Sequence, residues 1–158
     1  MDASTATARS PDGLLLRYAV AGSGQPLVLL HPFSDALDAW WDIGLAGRLA
    51  RTCRVIAIDA RGHGGSDKPR ESARHRLEHQ VIDVLTVLDA AEVERAHVVG
   101  YSMGGWTALG LASVAPSRLR SLVRLTLCTV HIFAGARART AASVAHRCDC
   151  GLCASTTA

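Results

Sequence analysis

Ten residues constrain the fold of this chain more than any others: Ala96-His97-Val98-Val99-Gly100-Tyr101-Ser102-Met103-Gly104-Gly105. A β-branched apolar run enters a Gly-x-Ser-x-Gly turn and leaves it into a segment of helical spacing, so a strand must pass straight into a helix with a serine at the bend. Gly100 and Gly104 flank the serine where strand and helix run too close for side chains. Such a turn holds Ser102 at positive φ and lifts its hydroxyl clear of the sheet. The helix that starts at Met103 directs its first amides and its positive dipole end to the same place. Alone, Gly-x-Ser-x-Gly is as often a flexible loop; the strand before it and the helix after it are what distinguish a candidate nucleophile.

The rest of the pattern agrees with that constraint. Leu27-Val28-Leu29-Leu30, Val55-Ile56-Ala57-Ile58 and Ala96 to Val99 are apolar on both faces, which suits buried parallel strands. Leu14 to Val20 is strand-like, and the Gly and Pro punctuation of Ala21 to Pro26 predicts a hairpin with Leu27 to Leu30. Helices are predicted over Asp35 to Ala50, with Leu37, Trp41, Leu45 and Leu49 on one stripe, and over Leu77 to Leu88. A third runs from Met103 to Ala115 and stops because Pro116 cannot continue it. Strand and helix alternate through Ser117, which implies an α/β sheet, mostly parallel and doubly wound. Leu119 to Cys128 begins a further strand with one polar face. Beyond Val130 the chain turns to Ala, Arg, Thr and Cys without a usable period. Residues 1–130 are therefore read as a partial α/β domain, and 131–158 as an atypical, disordered tail.

Composition narrows the function classes. With 158 residues the chain fits one domain, and 49% hydrophobic content supplies a core. A net charge of +3, from scattered rather than clustered basic residues, gives no footprint for nucleic acid or a membrane surface. The start, Met1-Asp2-Ala3-Ser4-Thr5, lacks the layout of a signal peptide, and no apolar stretch approaches the ~20 residues of a span. The chain is expected to be cytoplasmic. Its five cysteines make no disulfide framework: Cys53 and Cys128 sit in strand-like runs, and Cys148, Cys150 and Cys153 crowd the tail.

Several other clusters carry weaker signals. Asp59-Ala60-Arg61-Gly62-His63-Gly64-Gly65-Ser66-Asp67 has the glycines of a phosphate loop but neither the Lys-Ser/Thr nor the Gly-x-Gly-x-x-Gly spacing. It reads as a tight turn in which Asp59 and His63 are scaffold. His75 and His79, with Glu78, lack a third metal ligand and read as a solvated helix face. His146-x-Cys148-x-Cys150-x-x-Cys153 lacks the paired C-x-x-C spacing of a zinc site. No metal or cofactor is expected. His31, at the end of a buried strand, is expected to be a structural hydrogen-bonding group.

Taken in order and with their spacing, Leu27-Val28-Leu29-Leu30-His31-Pro32-Phe33, Asp59 to Ser66 and Gly100-Tyr101-Ser102-Met103-Gly104-Gly105 resemble the α/β-hydrolase fold family over residues 10–123. The resemblance implies a nucleophile elbow with Ser102 as nucleophile, and an oxyanion hole made by the Phe33 and Met103 amides. It implies hydrolysis of a small ester-like substrate of the esterase or lactonase type. The family usually has His-Gly where this chain has His31-Pro32, a departure that leaves the Phe33 N–H available as donor.

The larger departure lies after the elbow. Family members continue into a cap and further strands that carry the triad acid and histidine, whereas only 56 residues follow Ser102 here. Where some relatives place the acid, this chain reads Leu127-Cys128-Thr129-Val130, and only His131, His146 and Asp149 remain as candidates. Triad acid and base are therefore unknown. The expectation is a C-terminally truncated or frame-disrupted fold of about six strands, with no cap and its last strands missing, abnormal from between Arg124 and His131. It would be inactive alone, with Leu119 to Leu127 as an open sheet edge and part of one sheet face uncovered. Two alternatives are a non-catalytic module that keeps the elbow pocket for a small ligand, and assembly with a separate chain carrying the C-terminal half.

Overall fold

Strands that are apolar on both faces occupy the middle of the sheet, as burial on two sides requires. The computed structural model describes residues 3–126, 129–134 and 146–147. Its strands are β1 (Ser4–Arg9), β2 (Leu15–Ala21), β3 (Gln25–Leu30), β4 (Cys53–Ile58), β5 (Ala96–Tyr101), β6 (Leu119–Leu125), β7 (Thr129–Ala134) and β8 (His146–Arg147). They form one sheet in the order β1-β2-β4-β3-β5-β6-β7-β8. The central four, β4, β3, β5 and β6, run parallel. Antiparallel pairs close both sides. Helices α1 (Ala39–Asp42) and α2 (Leu45–Leu49) cover one face, and α3 (Leu77–Ala90) and α4 (Met103–Val114) the other. The fold class is thus the doubly wound α/β arrangement.

Two cores result. On the α3/α4 face, Val28, Leu30, Ile56, Ile58, Val98 and Leu122 of the strands meet Val81, Val84, Val87, Leu88 and Leu111 of the helices. On the other face, Ala19, Ala21, Leu29, Val55 and Ala57 meet Leu37, Trp40, Ala46 and Ala50.

The structure corrects the sequence reading in several places. The predicted hairpin does not form: β2 pairs with β1 and β4, while β3 lies on the far side of β4. The turn between them explains this, because a Cβ on Gly22 would strike the Ala50 and Cys53 carbonyls, so the turn packs onto the α2–β4 connection and carries the chain across β4. The predicted helix over Asp35 to Ala50 is two short helices, broken where Gly44 takes φ +73°. β1, absent from the prediction, is an edge strand with only Ala8 buried, too little for a hydrophobic period to register. Lastly, β6 is not an open edge, because β7 pairs with it from Ser121↔Ala134 to Leu125↔Val130.

The strands β7 and β8 bring the sheet to eight rather than about six. Of the segment read as a tail, residues 131–134 belong to β7 and 146–147 to β8. The remainder lies outside the described residues. Among the described residues no helix is long and apolar enough to cross a membrane.

Candidate active site

The bend between β5 and α4 has the geometry that its glycines imply. Ser102 sits at φ +50°, ψ −108°, a conformation that L side chains rarely adopt, and its side chain is exposed. Its N–H donates to the Leu125 carbonyl at 3.0 Å, and its carbonyl accepts from the Trp106 N–H at 3.2 Å. A Cβ on Gly100 would strike the Gly104 carbonyl, and one on Gly104 the Leu30 carbonyl. Both positions therefore exclude any larger residue unless the backbone shifts. Met103 opens a helix of 12 residues, so its N–H is among those with no carbonyl of a preceding turn to bond.

The second segment of the candidate oxyanion site follows β3, and buried His31 controls it. The Ala60 N–H donates to His31 Nε2 at 3.0 Å, so Nε2 carries the lone pair and Nδ1 the proton. That Nδ1 donates to the Pro32 carbonyl at 2.7 Å. The Pro32 carbonyl and the Phe33 N–H share one trans peptide and point in opposite directions. Holding the carbonyl toward His31 turns the Phe33 N–H away from it. Burial pushes the His31 imidazole below its ordinary pKa, which keeps this neutral tautomer. Phe33 itself is 72% exposed.

The turn after β4 reaches both faces of the sheet. Buried Asp59 accepts from the Leu37 N–H at 2.7 Å and the Gly65 N–H at 2.8 Å, and pairs with Arg17 at 3.2 Å. A Cβ on Gly64, at φ +48°, would lie inside the Asp59 carboxylate. Toward α3, the Arg61 guanidinium is buried with all of its donors used. Nε and Nη2 bond Asp83 at 2.6 Å each, Nη1 bonds the Arg74 carbonyl at 2.7 Å and Asp12 at 3.0 Å, and Nη2 also bonds Asp12 at 3.3 Å. Its hydrogen bonds, with that of Ser10, hold the Asp12 carboxyl well below the usual carboxylate range. The charged side chains of the turn, Asp59, Arg61 and Asp67, are all engaged by the scaffold.

The sequence-predicted site residues fall into separate groups. Ser102, Met103, Gly100 and Gly104 share the elbow, and Phe33 stands on the loop after β3. His75 and His79 do not share a helix: His75 lies in a 3-10 turn, Ser72–His75, with Nε2 at 2.8 Å from the Pro69 carbonyl. His79, on α3, is 3.9 Å from Asp12. The triad candidates His131 and His146 lie in β7 and β8, and Asp149 and the tail cysteines lie outside the described residues.

Two contacts were not legible in the sequence. Arg124, whose Cα pairs with that of Gly100, stacks its guanidinium 4.7 Å from the centre of the exposed Trp106 ring. His63 reaches the Phe33 loop, 30 residues earlier, with Nε2 at 2.8 Å from the Phe33 carbonyl. No local spacing signals either contact.

A parallel-centred sheet wound on both faces, with a serine strained into a strand-to-helix bend, is the architecture of a hydrolase-type α/β domain. The chain belongs to the α/β-hydrolase fold family, whose model matches residues 25–142. It is 42% identical over 112 residues to the dihydrolipoyllysine-residue acetyltransferase component of an acetoin cleaving system from Pseudomonas putida, covering 70% of this chain and 29% of that protein. It is 40% identical over 105 residues to a 2-hydroxymuconate semialdehyde hydrolase from a Pseudomonas species (strain CF600), covering 65% of this chain and 36% of that one. Among solved structures, it superposes on Est816, described as an N-acyl homoserine lactone degrading enzyme, with a TM-score of 0.71 and 38% identity. That match covers 78% of this chain and 46% of Est816. A hydrolase from Pseudomonas aeruginosa gives a TM-score of 0.70 at 37% identity, covering 75% and 44%. The chain thus spans about a third of the length of the curated relatives it matches.

Proposed function

We propose that Ser102 is the nucleophile of an acyl-transfer hydrolysis, acting on a small ester-like substrate of the esterase or lactonase class. The observation that carries this reading is the serine held at φ +50°, ψ −108° where β5 passes into α4, because sparsely populated backbone conformations of this kind cluster at functional sites. The Ser102 Oγ attacks the acyl carbon, an Oγ–C bond forms, and the carbonyl electrons move onto oxygen. The Phe33 and Met103 N–H groups stabilise that oxyanion. Its collapse expels the alcohol, and water then releases the acid from the acyl-Ser102 ester.

Each half-reaction needs a base, oriented by an acid: in acylation it takes the Oγ proton and gives it to the leaving alcohol, and in deacylation it takes a proton from water and returns it to Oγ. Among the described residues the histidine hydrogen bonds go elsewhere: His31 to Ala60 and Pro32, His63 to Arg61 and Phe33, His75 to Pro69, and His97 to Ser121. The side chains of His131, His146 and Asp149 lie outside the described residues; in this reading the acid and base come from C-terminal sequence of the kind that the longer relatives carry, in the same polypeptide or in a separate chain. The 158-residue chain alone is inactive. Loss of the base from such a triad costs on the order of 10⁶ in rate, about 8 kcal/mol, more than an oxyanion hole can conceal.

Fluorophosphonate labelling and p-nitrophenyl acetate turnover test both parts. The chain alone is expected to show no turnover beyond that of Ser102→Ala. A chimera joining residues 1–126 to the C-terminal part of the 2-hydroxymuconate semialdehyde hydrolase is expected to label at Ser102. Robust Ser102-dependent turnover by the chain alone would overturn the inactivity. A folded chimera that never labels at Ser102 would overturn the nucleophile.

A further inference from the structure

The loop that carries Phe33 is held from two sides, by His31 and by His63. Two peptide planes meet at Phe33, and the angle between them is set only if both are fixed. His31 fixes the first through the Pro32 carbonyl. The second, Phe33–Ser34, presents its carbonyl to His63 Nε2 at 2.8 Å. The Phe33 ring, otherwise largely in solvent, packs edge-on against the His63 ring, with centroids 5.3 Å apart and planes at 78°. The His31 ring lies behind it, with centroids 5.2 Å apart.

We propose that His63 is a positioning residue for the oxyanion site: by holding the Phe33 carbonyl it fixes the second plane, so that Phe33, whose N–H His31 directs, is gripped on both sides. The inference rests on the reading of that N–H as an oxyanion donor. His63 is itself well anchored. Its N–H donates to the Ala60 carbonyl at 2.9 Å, and its carbonyl accepts from the Ser66 N–H at 3.0 Å. Gly62 and Gly64 on either side take φ +85° and +48°. The imidazole thus stands on a tight turn that Asp59 and Arg61 tie to both faces of the sheet.

Nε2 faces the Phe33 carbonyl at 2.8 Å, and Nδ1 faces the Arg61 carbonyl at 3.1 Å. A carbonyl only accepts, so the bond to Phe33 requires a proton on Nε2. Without that bond, the described hydrogen bond closing the loop is the one from the Asp35 N–H to the Pro32 carbonyl, at 3.2 Å. That bond closes a turn around Phe33 and Ser34 but involves neither the Phe33 carbonyl nor the Ser34 N–H, so the Phe33–Ser34 plane can rotate within it.

Nuclear magnetic resonance on the full chain tests this without recourse to catalysis. In the wild type, imidazole ¹⁵N shifts should place the proton of neutral His63 on Nε2, with a scalar coupling across the bond to the Phe33 carbonyl. In His63→Leu, the order parameter of the Ser34 amide, which lies in the Phe33–Ser34 plane, should fall from about 0.85 to below 0.6, while those of Met103 and α3 stay unchanged. His63→Gln, whose side-chain amide can donate to the same carbonyl, should restore it. A proton on Nδ1, unchanged order in His63→Leu, loss of order throughout the domain, or failure of His63→Gln to restore the loop would each overturn the proposal. If His63→Leu does not fold, the wild-type coupling decides: its presence supports the proposal and its absence overturns it. These readouts do not involve Ser102, so they stand or fall separately from the labelling experiment.

Discussion

The two faces of the sheet are built on different terms. On one, helices of 14 and 12 residues lie over strands and bury large aliphatic side chains such as Leu88, Leu111 and Leu122. On the other, helices of 4 and 5 residues press against alanines at positions 19, 21 and 57. Toward β5 and β6 that second face thins out: His97, Val99 and Tyr101, and their neighbours Ser121, Val123 and Leu125, are only half-buried. Trp40 and Trp41 also bury Nε1 there with no hydrogen-bond partner among the described residues, a cost of about 1–3 kcal/mol for each such group. The comparison teaches that stability and candidate chemistry draw on different supports. The α3/α4 face holds the domain together, while the elbow and the Phe33 loop stand at the strand ends where the two faces meet.

The largest effect should come from the ionic tie on the stronger face. Arg61→Leu leaves Asp83 buried without its partner, and such a loss costs about 3–5 kcal/mol; urea unfolding of the two proteins measures it. A cost no larger than that of an exposed substitution would remove Arg61 from the account of that face.

The apolar contrast comes next. Leu88→Ala, in the α3/α4 core, should cost about 2–5 kcal/mol, and Val123→Ala, on the half-buried part of the other face, about 1 kcal/mol. Equal shifts in the urea midpoints would break the comparison.

The smallest effect sits at the junction. His31 has a folded pKa below its unfolded value of about 6.5, so as pH falls below that value the unfolded chain takes up a proton that the folded one resists. Stability should therefore decline as pH falls from about 6.5 toward the folded pKa. The partners that face His31 bear on this slope: burial and the nearby His63 lower its pKa, and the Pro32 carbonyl, Asp59 and Asp35 raise it. His31→Gln should flatten the slope in a pH series of thermal melts; an unchanged slope would assign it to other groups.

The same difference decides what could be read from the sequence. The α3/α4 face announces itself because α3 carries Val81, Val84 and Leu88 on one stripe, and because strands buried on both sides read as apolar runs. The elbow was legible for the same reason, since strand, glycines and helix are contiguous. The other face was misread as one helix. Its packing depends on Gly44 breaking the chain and on alanines small enough to let short helices approach, and neither produces a distinct period. The order of β2, β3 and β4 was hidden as well, because it turns on what Gly22 touches rather than on the hydrophobicity of the strands. At the site, Ser102, Met103 and Phe33 could be named from local pattern, whereas the grip of His63 on Phe33 joins segments 30 residues apart.

The Arg61 tie also has a bearing on the order in which the protein is made. Its partners, Asp12, Arg74 and Asp83, all precede the elbow in the chain. Domains begin to fold from the N-terminal side during synthesis, as residues emerge at about 5–20 per second. Every group needed to fasten the β1–β2 turn, the turn after β4 and α3 together is therefore translated before Ser102, and the ionic fastening draws on no residue downstream of the strained serine.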